Sequence, residues 1–152
     1  MRFIKNQAHH INLELIEPPA STLDHAVDHI ISLLQGHSDS VGAEPYRPHP
    51  FVLVIRANDG TALGGLKGEL NMGWLHVQLL AVHPDHRQAK LGGTLLAAAE
   101  QYARDRNCRH SYLDTFSFQA PDFYKKQCYK IFGTLEDFPT GASRIYLTKD
   151  LA

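Results

Sequence analysis

The chain is poor in cysteine, with Cys108 and Cys128 the only two in 152 residues. A disulfide framework uses more pairs in a shorter chain, so these read as reduced thiols of a cytosolic domain, and redox chemistry is disfavoured. Long apolar runs are also missing. No stretch approaches the roughly 20 uninterrupted apolar residues of a membrane span, and the opening MRFIKNQAHH has no signal-peptide core. A cytoplasmic protein with no membrane partner is expected. A surplus of one charge is absent as well: the formal net charge of -1 gives no pull toward a phosphate backbone. Arg104, Arg106, Arg109 and Lys125 are scattered and read as a solvated face, so nucleic acid is not the expected partner. Histidine is plentiful, at ten residues. Yet the pairs His25/His29 and His83/His86 lack the cysteine or acidic companions of a zinc site, and no metal is expected.

What is present suffices for a core. A hydrophobic fraction of 43% at this length fits a single domain over residues 1–152. GAEPYRPHP (Gly42 to Pro50) reads as a loop inside it rather than a linker. A first strand is expected around Ile11 to Ile16. Ser21 can then cap a helix carrying Leu23, Val27, Ile30, Ile31 and Leu34 at helical spacing, its apolar stripe directed at a sheet. Three strand-like runs follow: Phe51 to Ala57, Thr61 to Leu70 and Trp74 to Val82. The turn signals Asn58-Asp59-Gly60 and Asn71-Met72-Gly73 between them predict an antiparallel meander. A long helix from about Leu91 to Arg106 leads into a strand at Ser111 to Phe116. A short helix near Pro121 to Lys130 and strands near Ile131 to Leu135 and Ser143 to Thr148 complete an α/β pattern.

The stretch HRQAKLGGTLLAAAE (His86 to Glu100) sets a physical question, since it passes from basic residues through two glycines into an alanine-rich helix. The first turn of a helix has unpaired N–H groups and partial positive charge, and so can hold an anion, above all a phosphate. Glycine lets the backbone approach one closely. Here a strand ending at Val82-His83-Pro84 runs through a short basic loop into Gly92-Gly93-Thr94, a strand–loop–helix cradle. Neither the dinucleotide fingerprint G-x-G-x-x-G nor the lysine-serine ending of a P-loop is present, which disfavours the common nucleotide folds.

On these residues the chain resembles the GNAT superfamily of acetyl-CoA-dependent N-acetyltransferases. In that family a strand ending in V-x-P is followed by R/Q-x-x-G-x-G/A, which wraps the coenzyme A pyrophosphate at the start of the long helix. The matching residues are Val82-His83-Pro84 and then Arg87-Gln88-Ala89-Lys90-Leu91-Gly92, with Lys90 in place of the first motif glycine. Were the backbone there at positive φ, a lysine would add strain on the order of 1 kcal/mol, although its ammonium can also meet a phosphate. A second family block, N-x-x-A-x-x-F/L-Y-x-K-x-G-F, is similar to Ser117 through Tyr129. Ala120, Phe123, Tyr124 and Lys126 agree, Tyr129 is a near match, and Ser117 and Cys128 replace Asn and Gly. The ending GTLEDFPTG is similar to that of a group of small bacterial members, although Glu136 and Asp137 read first as an exposed acidic turn.

The resemblance implies a mixed, mostly antiparallel central sheet splayed between its fourth and fifth strands and flanked by helices. A bulge around Leu79 to Ala81 would open the slot for pantetheine, whose amides would pair with the freed backbone of Leu80 and Val82, beside Ala81. The pyrophosphate would lie against Arg87, Gln88, Ala89, Lys90, Leu91, Gly92, Gly93 and Thr94, with Ser117 and Ala120 also toward the coenzyme. Acetyl transfer to a primary amine, by direct attack in a ternary complex, needs an uncharged nucleophile, a polarised carbonyl and a proton for the departing thiolate. Tyr124 holds the family's tyrosine position and would supply that proton. His76 falls where members place a glutamate or histidine base, and a histidine titrates near neutrality. By strand alternation Gln78 shares the side of His76 and can hold water or substrate. Glu69, on the neighbouring strand, is the reserve. The acceptor is a small molecule or a protein amine. An inactive acyl-CoA-binding sensor is the alternative, motivated by Lys90, Ser117 and Cys128. Homodimers are frequent in the family, but no residue here marks an interface.

Overall fold

A computed structural model of the chain describes residues 5–6, 11–12, 15 and 22–152, Gln88 and Ala89 by their backbone alone. The chain comprises two compact units, Met1–Pro45 and Tyr46–Ala152. In the first, β1 (Lys5–Asn6) pairs antiparallel with β2 (Ile11–Asn12), and α1 spans Leu23–Ser40. Most of the strand expected over Ile11 to Ile16 lies outside the described residues, as does Ser21. Thr22 occupies the N-cap of α1 and makes no side-chain cap hydrogen bond.

In the second unit the alternation read in the sequence becomes a meander. β3 (His49–Arg56), β4 (Ala62–Asn71) and β5 (Trp74–Val82) pair antiparallel in turn. The hairpin between β4 and β5 closes through Met72 and Gly73, both at positive φ (49° and 76°), the conformation whose twist matches paired strands. A 3₁₀ turn (Pro84–Ala89) and α2 (Leu91–Arg104) then cross to β6 (His110–Phe116). β6 lies parallel to β5, a pairing that needs a long crossover, which α2 supplies. After α3 (Pro121–Lys126), β7 (Lys130–Glu136) and β8 (Ser143–Asp150) finish a six-stranded sheet ordered β3-β4-β5-β6-β8-β7. This is the mixed, mostly antiparallel sheet that the resemblance implied. No described helix is long and apolar enough to cross a membrane.

The core lies between one face of the sheet and α2. Leu95, Leu96, Ala99 and Ala103 form the buried stripe of the helix, against Leu66, Leu75, Val77, Leu113 and Leu147 of the strands. Each fully buried leucine contributes about 1.5–3 kcal/mol relative to exposure. A charged tie reinforces the same junction. Buried Glu100 of α2 accepts from Lys149 Nζ of β8 on both carboxylate oxygens, at 2.9 and 2.7 Å, and from Arg104 Nη2 at 3.5 Å, and so leaves no unpaired charge inside.

Both helices of this unit stop earlier than the sequence suggested, for one local reason. At the end of α3 the Tyr129 N–H donates to the Tyr124 carbonyl and the Cys128 N–H to the Lys125 carbonyl, each at 3.0 Å. Cys128 sits between them at φ 68°. This is the Schellman closure, which absorbs the last carbonyls and turns the chain out of the helix. Asn107, at φ 62°, ends α2 in the same way, with Cys108 donating to Ala103 at 3.0 Å.

The feature that positions the site is a partial pairing. β5 and β6 are matched only from Trp74↔His110 to Val77↔Leu113, after which each strand runs on without the other. A bulge in β5 marks the place. Lys67 of β4 faces Leu79 while the adjoining Gly68 faces Val77, so Gln78 is the extra residue. The sequence-based expectation of a bulge at Leu79 to Ala81 is thus corrected to Gln78. The shift also exchanges the core-facing parity, from Leu75 and Val77 before it to Leu80 and Val82 after it. Beyond the bulge β5 relies on β4 alone, and Gly64 makes that approach close. A Cβ at Gly64 would stand 2.9 Å from the Ala81 carbonyl oxygen and 3.3 Å from Val82 Cα, both backbone atoms that cannot yield. Gly64→Ala is therefore expected to lower stability by about 1–3 kcal/mol, read as a reduced urea midpoint with an unchanged denaturant slope.

Candidate active site

Where β5 and β6 separate, a cleft of about 590 Å³ opens. Its floor is the splayed limb of β5, Val77 to Val82; its other walls come from Asp114, Thr115, Phe118, Gln119, Ala120 and Tyr124, with Arg87 at one end. The backbone of β5 faces it with unmet hydrogen-bonding capacity. The His83 N–H donates to the Leu63 carbonyl of β4 at 2.7 Å. By alternation along the strand Ala81 turns the same way, which leaves the N–H and C=O of Leu80 and Val82 directed at the gap. Ligand amides can complete the ladder that β6 abandons.

The anion end is built by the turn that follows. Pro84 starts it, and the Asp85 N–H donates to His83 Nδ1 at 3.3 Å. Lys90 then takes a left-handed conformation, φ 57° and ψ 20°, as the N-cap of α2. The first amide with an acceptor inside the helix is that of Thr94, which donates to the Lys90 carbonyl at 3.2 Å. The N–H groups of Leu91, Gly92 and Gly93 precede it and have no intrahelical acceptor, so the positive end of the helix is exposed to an anion. Space alone does not dictate the glycines: a Cβ at Gly92 would meet the Phe123 ring at 3.4 Å, and one at Gly93 would meet Gln127 at 3.7 Å, both ordinary contacts. The Lys90 side chain is exposed and Arg87 lines the cleft.

Tyr124 reaches the cleft from α3. Its ring is buried, edge-on to Phe123 and Tyr129 at centroid distances of 5.0 and 6.1 Å. Among the described residues no hydrogen bond engages its hydroxyl. Burial, reinforced by the charge of Asp114, raises the phenol above its ordinary pKa of 10.0, so it stays protonated. Ser117 is occupied elsewhere: its N–H donates to the Ser143 carbonyl at 2.9 Å and its Oγ accepts from the Ser143 N–H at 3.0 Å, which ties the end of β6 to β8.

His76 and Glu69 are not among the residues that line the cleft; they face each other across the β4–β5 pairing. His76 lies flat on Tyr112 of β6, ring centroids 4.3 Å apart. Burial lowers its pKa below 6.5, Asp114 and Glu69 pull it back up, and Arg144 opposes them. The imidazole is therefore neutral at neutral pH. Gln78, the bulge residue, does line the cleft.

Sequence reasoning missed Asp114, Thr115, Phe118 and Gln119. Gln119 Oε1 accepts from Thr115 Oγ1 and from the Phe116 N–H, both at 3.1 Å, which shapes the turn out of β6. Asp114 is the first residue of β6 past its last pairing with β5 and accepts from Arg144 Nε at 2.7 Å. Only the alternation of SYLDTF, with a lone acid in an apolar strand, hinted at it.

Two of the departures from the family motifs, Lys90 and Cys128, sit where the motif has glycine, and both backbones are left-handed, at φ 57° and 68°. The glycine geometry is retained and the strain accepted. Lys90→Gly and Cys128→Gly are each expected to raise stability by about 1 kcal/mol, seen as a higher midpoint in urea.

The matches with known proteins agree with this geometry. Residues 19–128 match the model of the acetyltransferase (GNAT) family. Blasticidin-S acetyltransferase from Streptomyces morookaense is 41% identical over 93 residues, covering 60% of this chain and 68% of that protein. The crystal structure of an acetyltransferase from Bacillus cereus superposes with a TM-score of 0.77 at 30% identity, over 90% of this chain and 97% of that one. A crystal structure from Bacillus anthracis, solved in complex with acetyl coenzyme A, shares the fold alone: TM-score 0.61, 19% identity, 68% of this chain and 64% of that one. With its strands parted beside a bare helix N-terminus and its sequence matched over most of its length, the chain belongs to the GNAT family of acetyltransferases.

Proposed function

We propose that this acyltransferase moves acetyl from acetyl-CoA to the primary amine of a small molecule by direct attack in a ternary complex, the whole chain acting as one N-acetyltransferase domain. The observation that carries this reading is the parting of β5 from β6 after Val77↔Leu113, which leaves a ladder half for one ligand and a gap for another to enter. The family match crosses from the first unit into the second, which supports a single domain. The Streptomyces relative is named for blasticidin S, which favours a small-molecule acceptor over a protein.

The residues present fit acetyl-CoA. The backbones of Leu80 and Val82, beside Ala81, suit the pantetheine amides. The amides that open α2, at Leu91, Gly92 and Gly93, suit the pyrophosphate, with Arg87, the Gln88–Ala89–Lys90 backbone and Thr94 around it. Ala120 leaves room at the cleft wall, and Ser117 braces that wall rather than touching the ligand. Acetyl-CoA supplies an acetyl thioester. The chain supplies a neutral imidazole at His76 to take the ammonium proton and a phenol at Tyr124 Oη to protonate the departing thiolate. Gln78 holds the acceptor or a bridging water, and Glu69 is the reserve base.

Tyr124→Phe should cut the turnover of acetyl-CoA with an amine by about a hundredfold or more, in a thiol-release assay, while calorimetry finds acetyl-CoA binding nearly unchanged. Equal loss of both would remove Tyr124 from the chemistry. For His76 the sign follows from its lowered pKa: the base form exists above that value and is lost as pH falls through it. The kcat/KM for the amine should therefore fall on the acid side with a midpoint below 6.5. His76→Gln should abolish that limb.

A further inference from the structure

We propose that Asp114 is the specificity-determining residue for the acceptor: one carboxylate oxygen is fixed by Arg144 and the other receives the substrate's ammonium, so that the enzyme selects cationic amines over those carrying a nearby carboxylate. The inference rests on the acetyltransferase reading of the cleft and deepens it.

Placement comes first. Asp114 follows immediately on the last β5–β6 pair and lines the cleft, so an acceptor that enters between the strands passes its side chain. Its side chain keeps 21% of its exposure, and Arg144 keeps 30%. Only Oδ2 is engaged by Arg144 Nε, at 2.7 Å. Among the described residues no hydrogen bond reaches Oδ1.

Arg144 is not among the residues that line the cleft, so it is Asp114 and not the guanidinium that meets an acceptor there. Its guanidinium carbon lies 5.8, 5.2 and 5.5 Å from the ring centroids of Phe116, Phe138 and Tyr146. Held among these rings and by Asp114, it acts as a fixed counter-charge that orients the carboxylate. Strand pairing brings Glu69 onto the same sheet face, opposite His76, which in turn pairs with Tyr112, two residues before Asp114. Lys67, two residues from Glu69 on the same face of β4, offsets that carboxylate, so the charge an acceptor meets at the cleft wall is that of Asp114, which attracts an ammonium and repels a carboxylate.

Two measurements test this. Wild-type protein is assayed with 1,4-diaminobutane and with 4-aminobutanoate, acceptors of equal chain length that differ by a carboxylate. The diamine should have a kcat/KM at least tenfold higher, and equal values or a preference for the amino acid would overturn the proposal. In Asp114→Asn, which keeps shape and an acceptor for Arg144, the KM for the diamine should rise at least tenfold. The fall in kcat/KM should lie mainly in KM rather than kcat, and acetyl-CoA affinity by calorimetry should hold. An unchanged KM, or a loss confined to kcat, would sink the role given to Asp114 while leaving the acetyltransferase reading in place. Wild-type protein that does not bind acetyl-CoA would overturn that reading and this proposal with it. The comparison of two substrates on wild-type protein stands whether or not the variant folds.

Discussion

Everything in the second unit turns on backbone hydrogen bonds that β5 and β6 do not make. A strand inside a sheet normally meets a partner on each edge, because an unpaired buried N–H or C=O costs free energy comparable to a lost hydrogen bond. Here β5 is paired on both edges only as far as Val77. The bulge at Gln78 bends it away, and a bulge increases local twist as well as inserting a residue. β6 compensates on its other edge, where it stays in register with β8 through Phe116↔Arg144. The parted limb of β5 stays in place because Leu80 and Val82 pack against the core and β4 approaches through Gly64. The opening is a gap between two supported strands.

That gap joins two environments that a continuous sheet would keep apart. On the helix side stand the buried aromatic rings of Tyr124 and Tyr129, with Ser111 and Tyr129 sharing a hydrogen bond at 2.8 Å. On the other side stand His76, Tyr112, Asp114 and Arg144. The same carboxylate of Asp114 acts on both sides, raising the pKa of Tyr124 and partly offsetting the burial of His76. The Tyr124 phenol stays protonated and the His76 imidazole neutral, on opposite faces of the sheet.

Backbone geometry proves more persistent here than residue identity. Lys90 and Cys128 replace motif glycines, yet both keep positive φ. The surrounding structure over-determines them: Lys90 joins a 3₁₀ turn to α2 with no residue between, and Cys128 closes the Schellman turn that aims Tyr124 inward. A side chain at either point adds modest strain, and the hydrogen bonds on both flanks outweigh it.

The strands Phe51 to Ala57, Thr61 to Leu70 and Trp74 to Val82, the turn at Met72-Gly73 and the start of α2 were all legible in the chain. Each depends on periodicity or turn preference among neighbours a few residues apart. The family blocks, too, pointed to Tyr124, which lines the cleft, and to Leu91 to Gly93, which open α2. The position of the bulge, the exchange of core parity behind it, the commitment of Ser117 to Ser143 and the meeting of Asp114 with Arg144 were not legible. These depend on which strands lie side by side and where their pairing stops. That is decided by contacts between residues tens of positions apart, a balance of packing and hydrogen bonding over the whole sheet that no local pattern encodes.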